Sequence, residues 1–213
     1  MIEYFNEDCM TGMAKYPDKY FDLAIVDPPY GIDIGNGLGS GIKKIKMHKT
    51  WQYNSPDQSY FTELFRVSKN QIIWGGNYFN LPLNDDWIIW DKLNPNLTFA
   101  EAELAWCSIE KKIRIFKHYS ATIDGGSKIH PTQKPIKLYK WLLTNYAKQG
   151  DKILDTHVGS ASSLIACHDM GFDAVGFELD PYYYAKSRQR LEDFMRQPRI
   201  DLMQPQQMEQ LTL

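Results

Sequence analysis

The last third of the chain carries a β-turn-α-β-α pattern, which constrains the fold more than any other stretch. An apolar strand begins at Lys152 and runs into a turn of small and polar residues at 155–161. A helical stretch over 162–170 ends at a glycine, and a second apolar strand follows at 174–178. Asp180 as N-cap, with a proline in the first turn, starts another helix. Strands joined through a helix lie parallel with a right-handed crossover, so the sequence predicts an α/β fold.

The turn between these two strands has the composition of a ligand site. It reads DTHVGS at 155–160, and Glu178 ends the next strand, 23 residues after Asp155. This is similar to dinucleotide sites, where a small-residue turn lets the ligand approach the backbone and an acidic residue takes ribose hydroxyls. The three-glycine phosphate fingerprint is absent, so a nucleoside without pyrophosphate fits better. The alternative is a tight structural turn with Glu178 as an acid beside the next helix.

A second strand end carries reactive groups near the start of the chain. The apolar stretch 22–26 runs directly into Asp27, Pro28, Pro29 and Tyr30. The prolines fix their φ angles and lack an N–H, so strand pairing stops there. The corner offers a carboxylate, a carbonyl without a competing N–H and a ring face, which suit a site that grips a donor group on a flat substrate. The alternative is a strand-to-loop turn that the carboxylate caps.

Length and composition limit the class of protein. The 213 residues predict a single domain over 1–197 and a flexible tail over 198–213. No apolar run approaches the roughly 20 residues that cross a bilayer, and the acidic start is not a signal peptide. Three unpatterned cysteines predict neither a disulfide framework nor a zinc site. We therefore expect a cytoplasmic protein that uses no membrane and no metal.

Charge limits where a polyanion could bind. The formal net charge is −2, so the chain has no global polyanion-binding signature. The glycine-rich stretch 31–55 nevertheless holds a local basic cluster with two aromatic residues beside it. These residues are Lys43, Lys44, Lys46, His48, Lys49, Trp51 and Tyr53. We expect the lysines to contact phosphates and the aromatic rings to stack or act as wedges; the alternative is a charged, solvated loop.

Three segments together resemble a known enzyme family. DPPY at 27–30 looks like the catalytic motif of the amino methyltransferases that use S-adenosylmethionine to modify exocyclic amines of DNA bases. DTHVGS at 155–160 resembles their cofactor loop, and HPTQKP at 130–135 is similar to the segment before their cofactor-side helix. The catalytic motif comes first, as in the β-type order. The resemblance extends from about Ile2 to Leu191 and is to the small adenine-specific members seen in phages and prophages.

The resemblance implies a Rossmann-like S-adenosylmethionine-dependent methyltransferase fold. Its sheet has seven strands, mostly parallel with one reversed, and helices cover both faces. The permuted motif order makes neighbours of the strands that end at Asp27 and Asp155, although 128 residues separate them. Methyl donor and acceptor then meet at one switch point of the sheet. We expect DNA-facing loops or insertions, which hold the specificity determinants, at 31–55 and 80–128.

The resemblance also implies roles for single residues. The catalytic residues are Asp27, Pro28, Pro29 and Tyr30. The cofactor-binding residues are Asp8 at the adenine, Glu178 at the ribose, Thr132, Gln133, Lys134, Asp155 and Gly159 at the methionine end, and His157 and Ser160. The DNA-binding residues are Lys43, Lys44, Lys46 and Lys49. The family's loop more often has Pro and Phe at 156 and 157 and Gly at 161, so a role for His157 as the usual aromatic cofactor contact stays open.

The implied reaction is direct in-line transfer to the N6 amine of a flipped adenine in double-stranded DNA. The Asp27 carboxylate and the Pro28 carbonyl accept the amine hydrogens and turn the nitrogen toward sp³ geometry, while Tyr30 stacks on the base. Alternatives are methylation of cytosine N4, methylation of adenine in RNA, and a non-catalytic binding subunit of the same fold. Expected partners are a second copy of the chain and a cognate restriction endonuclease, in a bacterial or phage-infected cell.

Overall fold

One mixed sheet, flanked by helices, dominates the part of the chain that the structure describes. The computed structural model describes residues 1–31, 55–94, 100–110, 112–119 and 128–197. Within these ranges the strands are β1 (Ile2–Phe5), β2 (Phe21–Val26), β3 (Ser68–Trp74), β4 (Trp87–Asp91), β5 (Ala102–Cys107), β6 (Arg114–Lys117), β7 (Lys152–Asp155) and β8 (Asp173–Phe177). The α-helices there are α1 (Cys9–Met13), α2 (Gln58–Val67), α3 (Ile136–Tyr146), α4 (Ser162–Met170) and α5 (Pro181–Arg196).

The strand order is β1-β8-β7-β2-β3-β5-β4-β6. β5 runs antiparallel to both of its neighbours, and every other pairing is parallel. The predicted fold class and its one reversed strand are therefore confirmed. The count of seven was wrong, because the described residues contribute eight strands. β6 pairs in parallel with β4, from Ile88 with Arg114 onward, and so satisfies backbone groups that β4 would otherwise leave unpaired.

The two strands that carry the predicted motifs are neighbours. β2 pairs with β7 in parallel, with Leu23 opposite Ile153 and Ala24 opposite Leu154. Parallel strands present their carboxyl ends at the same edge of a sheet, where ligands of open α/β sheets bind. Asp27 and Asp155 therefore reach one edge, as the permuted motif order predicts.

The core lies on both faces of the sheet, which holds this edge rigid. Side chains alternate along β2, so Leu23 and Ile25 pack on the face covered by α3 and α4. Ala24 and Val26 pack on the opposite face, against α1 and α2. A parallel strand covered on both sides reads as a continuous apolar run, which explains the 22–26 pattern.

The predicted DNA-facing range 80–128 is not a single loop. Strands β4, β5 and β6 lie within it, and Ile88, Trp90 and Ala105 are buried in the core. Apolar side chains of these strands point into the core, and the DNA-facing role of the range stays a prediction. The basic cluster at 43–49 and the tail at 198–213 lie outside the described residues. Within the described ranges, no helix is both long and apolar enough to cross a membrane.

Candidate active site

A cavity of about 530 Å³ opens at the carboxyl edge of β2 and β7. Its size lies in the roughly 300–1,000 Å³ range of small-molecule sites. Of the four catalytic and nine cofactor residues predicted, all but Asp155 line it. The two motifs and the 130–135 segment therefore form one site. Lining residues that the sequence did not assign include Glu7, Cys9, Glu103, Tyr139, Thr156 and Asp180.

Asp155 lies beneath the turn and does not line the cavity. Its side chain is buried, with 2% of the residue exposed. One carboxylate oxygen accepts the His157 N–H at 3.0 Å, and the other accepts the Ser163 hydroxyl. The structure therefore shows Asp155 bonded within the turn, and its contact with a ligand stays a prediction.

Glu178 is held at the cavity wall by backbone donors. The Gly159 N–H donates to Oε2 and the Asp180 N–H donates to Oε1, each at 2.9 Å. Burial raises the pKa of Glu178 above its ordinary value. A carboxylate has about four acceptor positions, so two remain for hydroxyl groups of a ligand.

The turn keeps its shape without the glycine more common in similar proteins. Ala161 precedes α4 with φ +62°, a left-handed conformation. That conformation costs a non-glycine residue roughly 1–2 kcal/mol. Position 161 is therefore one where the backbone itself favours glycine, and the chain tolerates alanine there.

His157 forms a flat, uncharged part of the cavity wall. Its Nδ1 lies 2.9 Å from the Thr156 hydroxyl, which lies 2.6 Å from the Tyr60 hydroxyl. The rings of His157 and Tyr60 meet edge to face at 5.4 Å. Burial lowers the pKa of His157 to about 4, so the imidazole is neutral at pH 7.

The other cofactor candidates are held by local hydrogen bonds. Asp8 is the N-cap of α1, where its Oδ1 accepts the Thr11 N–H at 3.0 Å. The Thr132 hydroxyl lies 3.1 Å from the Nδ1 of His130. Gln133 accepts the Ile129 N–H at 3.1 Å, so its amide is oriented by the preceding backbone.

The Asp27 carboxylate has a partner on each oxygen. The Tyr30 hydroxyl donates to Oδ1 at 2.5 Å, and the Lys134 ammonium donates to Oδ2 at 2.6 Å. Burial, followed by the charge of Asp27, raises the pKa of Tyr30 well above its ordinary value, so the phenol keeps its proton. Lys134 therefore reaches the catalytic corner, although it was predicted at the methionine end of the cofactor.

Glu103 is the main residue that sequence reasoning missed. It lies on the reversed strand β5, and its Oε2 is 2.9 Å from the Lys134 ammonium. Its Oε1 is 2.7 Å from the Lys92 ammonium. Burial would raise the pKa of Glu103, but Lys134 and Lys92 outweigh it and lower the pKa to about 2. An acid inside an otherwise apolar strand was the available signal, because such groups need partners.

The Tyr30 ring depends on a glycine behind it. A Cβ on Gly75 would lie 2.2 Å from the ring, and Gly75 itself has φ +68°. The Tyr78 ring stacks on Tyr30, with centroids 5.2 Å apart and planes within 15°. Gly75 thus provides both a left-handed turn and space for the catalytic tyrosine.

Similarity to known proteins identifies the family of this chain. Residues 82–189, half of the chain, match the family model described as DNA methylase. The chain belongs to this family. The methylase is 24% identical to the Type II methyltransferase M.HinfI of Haemophilus influenzae. The alignment covers 90% of this chain and 68% of M.HinfI.

Solved structures share the fold of the methylase. The M1.HpyAVI–SAM complex superposes with a TM-score of 0.61 at 20% identity, over 89% of this chain and all of that one. The PvuII DNA methyltransferase, described as cytosine-N4-specific, superposes with a TM-score of 0.60 at 12% identity, over 91% and 90% of the two chains. At such identities the likeness shows the fold alone.

Replacing Gly75 with alanine should reduce the turnover of the methylase by about tenfold or more, because the added Cβ displaces the Tyr30 ring. Gly171→Ala is the matched control: its φ is +77°, and its nearest neighbour, Gln149, is at 3.8 Å. Both variants carry the same backbone strain of about 1 kcal/mol. Steady-state rates at saturating substrate make the comparison, and equal rates for the two variants would contradict the role of Gly75.

Asp155→Asn should change how the stability of the methylase depends on pH. Burial raises the pKa of Asp155 to about 7, so the stability this group contributes is present below pH 4 and is lost as pH rises through 7. Asparagine cannot ionise, and each pKa unit corresponds to about 1.4 kcal/mol. Urea unfolding should show that the free energy of unfolding of the variant, relative to that of the wild type, is higher at pH 8 than at pH 5. If the difference in free energy of unfolding between the two proteins is the same at both pH values, the raised pKa of Asp155 is refuted.

Proposed function

We propose that this methylase transfers the methyl group of S-adenosylmethionine to the N6 amine of adenine in DNA. The observation that carries the proposal is the shared cavity, which Asp27 borders on one side and Gly159 and Glu178 border on the other. An acceptor for an amine and a turn suited to a nucleoside thus meet within one space. The related chain of known structure, M1.HpyAVI, was solved as a complex with SAM.

The charge of the cavity fits this cofactor better than a phosphorylated one. Four carboxylate residues line the cavity around the turn: Glu7, Asp8, Glu178 and Asp180. Such a wall repels phosphates and suits a ligand with a positive sulfonium and hydroxyl and amine donors. Glu178 would hold the ribose hydroxyls, Asp8 the adenine amine, and Thr132 and Gln133 the methionine end. When bound, the cofactor supplies an electrophilic methyl group.

The Asp27 corner prepares the amine for transfer. The Asp27 carboxylate and the Pro28 carbonyl accept the two amine hydrogens, and both oxygens of Asp27 keep a lone pair beyond their present bonds. The nitrogen lone pair then points at the methyl carbon. With S-adenosylmethionine bound, the N–C bond would form as the C–S bond breaks, and the Asp27 carboxylate, which accepts one amine hydrogen, would take the released proton and pass it to solvent. Alignment of the two groups alone contributes several kcal/mol.

Asp27 also supports adenine as the target, because similar proteins that act on cytosine N4 lean toward serine at this position. A target base within duplex DNA must be flipped out, at a few kcal/mol. Phosphate contacts are proposed for Lys43, Lys44, Lys46 and Lys49. A homodimer and a cognate restriction endonuclease stay predictions.

Incubation of the protein with methyl-labelled S-adenosylmethionine and duplex DNA, followed by nucleoside analysis, should yield labelled N6-methyladenine. Labelled N4-methylcytosine would overturn the adenine assignment, transfer to RNA alone would overturn the DNA assignment, and no label in either would overturn the catalytic function. Asp27→Ala should abolish the label while calorimetry finds cofactor affinity nearly unchanged. Asp18→Ala, an exposed acid outside the cavity, is the control and should keep the wild-type rate.

His157→Ala should weaken S-adenosylmethionine binding by about tenfold, whereas His157→Phe should stay close to wild type. The neutral imidazole offers the cofactor a flat wall, which phenylalanine restores and alanine removes. Calorimetric titration at pH 7.5 compares the three proteins. Wild-type affinity in the alanine variant would exclude His157 as the replacement for the usual aromatic contact.

A further inference from the structure

We propose that Glu103 and Lys134 are positioning residues that hold the Asp27 carboxylate for methyl transfer. The inference rests on the function proposed above and adds two residues to the substrate side of that site. Family resemblance implies a cofactor role for Lys134 and no role for Glu103. The contacts of both residues lead instead to Asp27.

A buried ammonium joins two carboxylates from different strands. Lys134 is 3% exposed, and its Nζ lies 2.6 Å from Asp27 Oδ2 and 2.9 Å from Glu103 Oε2. The Tyr30 hydroxyl oxygen is 3.4 Å from the same nitrogen. The ammonium thus lies within ion-pair distance of both carboxylates and donates hydrogen bonds to Asp27 and Tyr30.

These bonds fix the one part of Asp27 that the backbone leaves free. Pro28 and Pro29 hold the chain after β2, so the side-chain torsions of Asp27 are the remaining freedom. Lys134 on Oδ2 and Tyr30 on Oδ1 determine those torsions. Misplacement of a reacting group by about 1 Å can lower a rate by about 10²-fold, so this constraint bears directly on turnover.

Glu103 keeps the ammonium in place from the side opposite Asp27. A buried lysine stays charged only when its partners compensate for the loss of water. Burial alone would lower the pKa of Lys134, but Asp27 and Glu103 outweigh it and raise the pKa. Without Glu103, the ammonium loses one of its two counter-charges, and both its position and its charge change. The ionisable groups that act on this cluster include Asp27, Tyr30, Glu103, Lys92, Lys128, His130 and Tyr139.

The first test measures Glu103→Gln, which keeps the shape of the side chain and removes its charge. We expect kcat to fall by about tenfold or more while the KM values for DNA and S-adenosylmethionine stay within about twofold. Lys69→Met, which breaks the ion pair with Asp22 far from the cavity, is the control and should keep the wild-type kcat. A wild-type kcat in Glu103→Gln overturns the proposal.

The second test asks whether Glu103 acts through Lys134. In a double-mutant cycle with Lys134→Met, adding Glu103→Gln should cause no further loss of kcat, because the residue that transmits the effect is already gone. The alkaline limb of kcat should also move to lower pH in Glu103→Gln, since the pKa of Lys134 falls when one of its two counter-charges is removed. Independent, multiplying losses, or an alkaline limb that does not move, would overturn the mechanism.

Two further measurements distinguish a failure of the positioning role from a failure to fold and from a failure of the proposed function. Thermal melting and cofactor titration identify any variant that fails to fold. If Glu103→Gln fails to fold, kcat is measured for Glu103→Asp instead. A reduced kcat in Glu103→Asp supports the proposal, and a wild-type kcat overturns it. If the wild-type protein transfers no methyl group, the proposed function fails. If the wild type transfers methyl and the Glu103 variants match it, only the positioning role fails.

Discussion

The parallel pairing of β2 with β7 is the contact on which the site depends. It places the ends of two distant segments, Asp27 and the 155–160 turn, at one edge of a sheet buried on both faces. The register of this pairing is set by close packing on both faces, because a slip of one residue would exchange the side chains that fill each layer of the core. The distance between the amine acceptor and the nucleoside turn is therefore set by the core. Loops around the cavity can vary without disturbing it.

Charges around the cavity divide into two groups with different partners. Near the turn, backbone N–H groups hold Glu178, so this acid keeps acceptor positions toward the cavity. Near the catalytic corner, a lysine ammonium and a phenol hold Asp27. The first arrangement suits recognition of hydroxyl and amine groups on a ligand. The second suits orientation of a reacting group, because charge-assisted bonds are short and directional.

Much of this arrangement was predictable from local pattern. The strand and helix order, the reversed strand and the meeting of the two motifs followed from the β-turn-α-β-α run and the family resemblance, and twelve of the thirteen assigned catalytic and cofactor residues line the cavity. The position of Asp155 under its own turn was not predictable, because a strand-end carboxylate can turn either toward a ligand or under that turn. The contact between Lys134 and Asp27 was not predicted, because a four-carbon side chain reaches well beyond its neighbours in sequence.

The sequence by itself determined the α/β class, the acidic corner after β2 and the tight turn after β7. These features are set by residue type and spacing over short stretches, where proline, glycine and alternation act on the local backbone. Only the tertiary structure decided that Glu103 lines the cavity, that Lys134 pairs with Asp27, and that Gly75 leaves space for Tyr30. Those contacts connect segments far apart in the chain, and which side chains meet across a sheet depends on strand order and register.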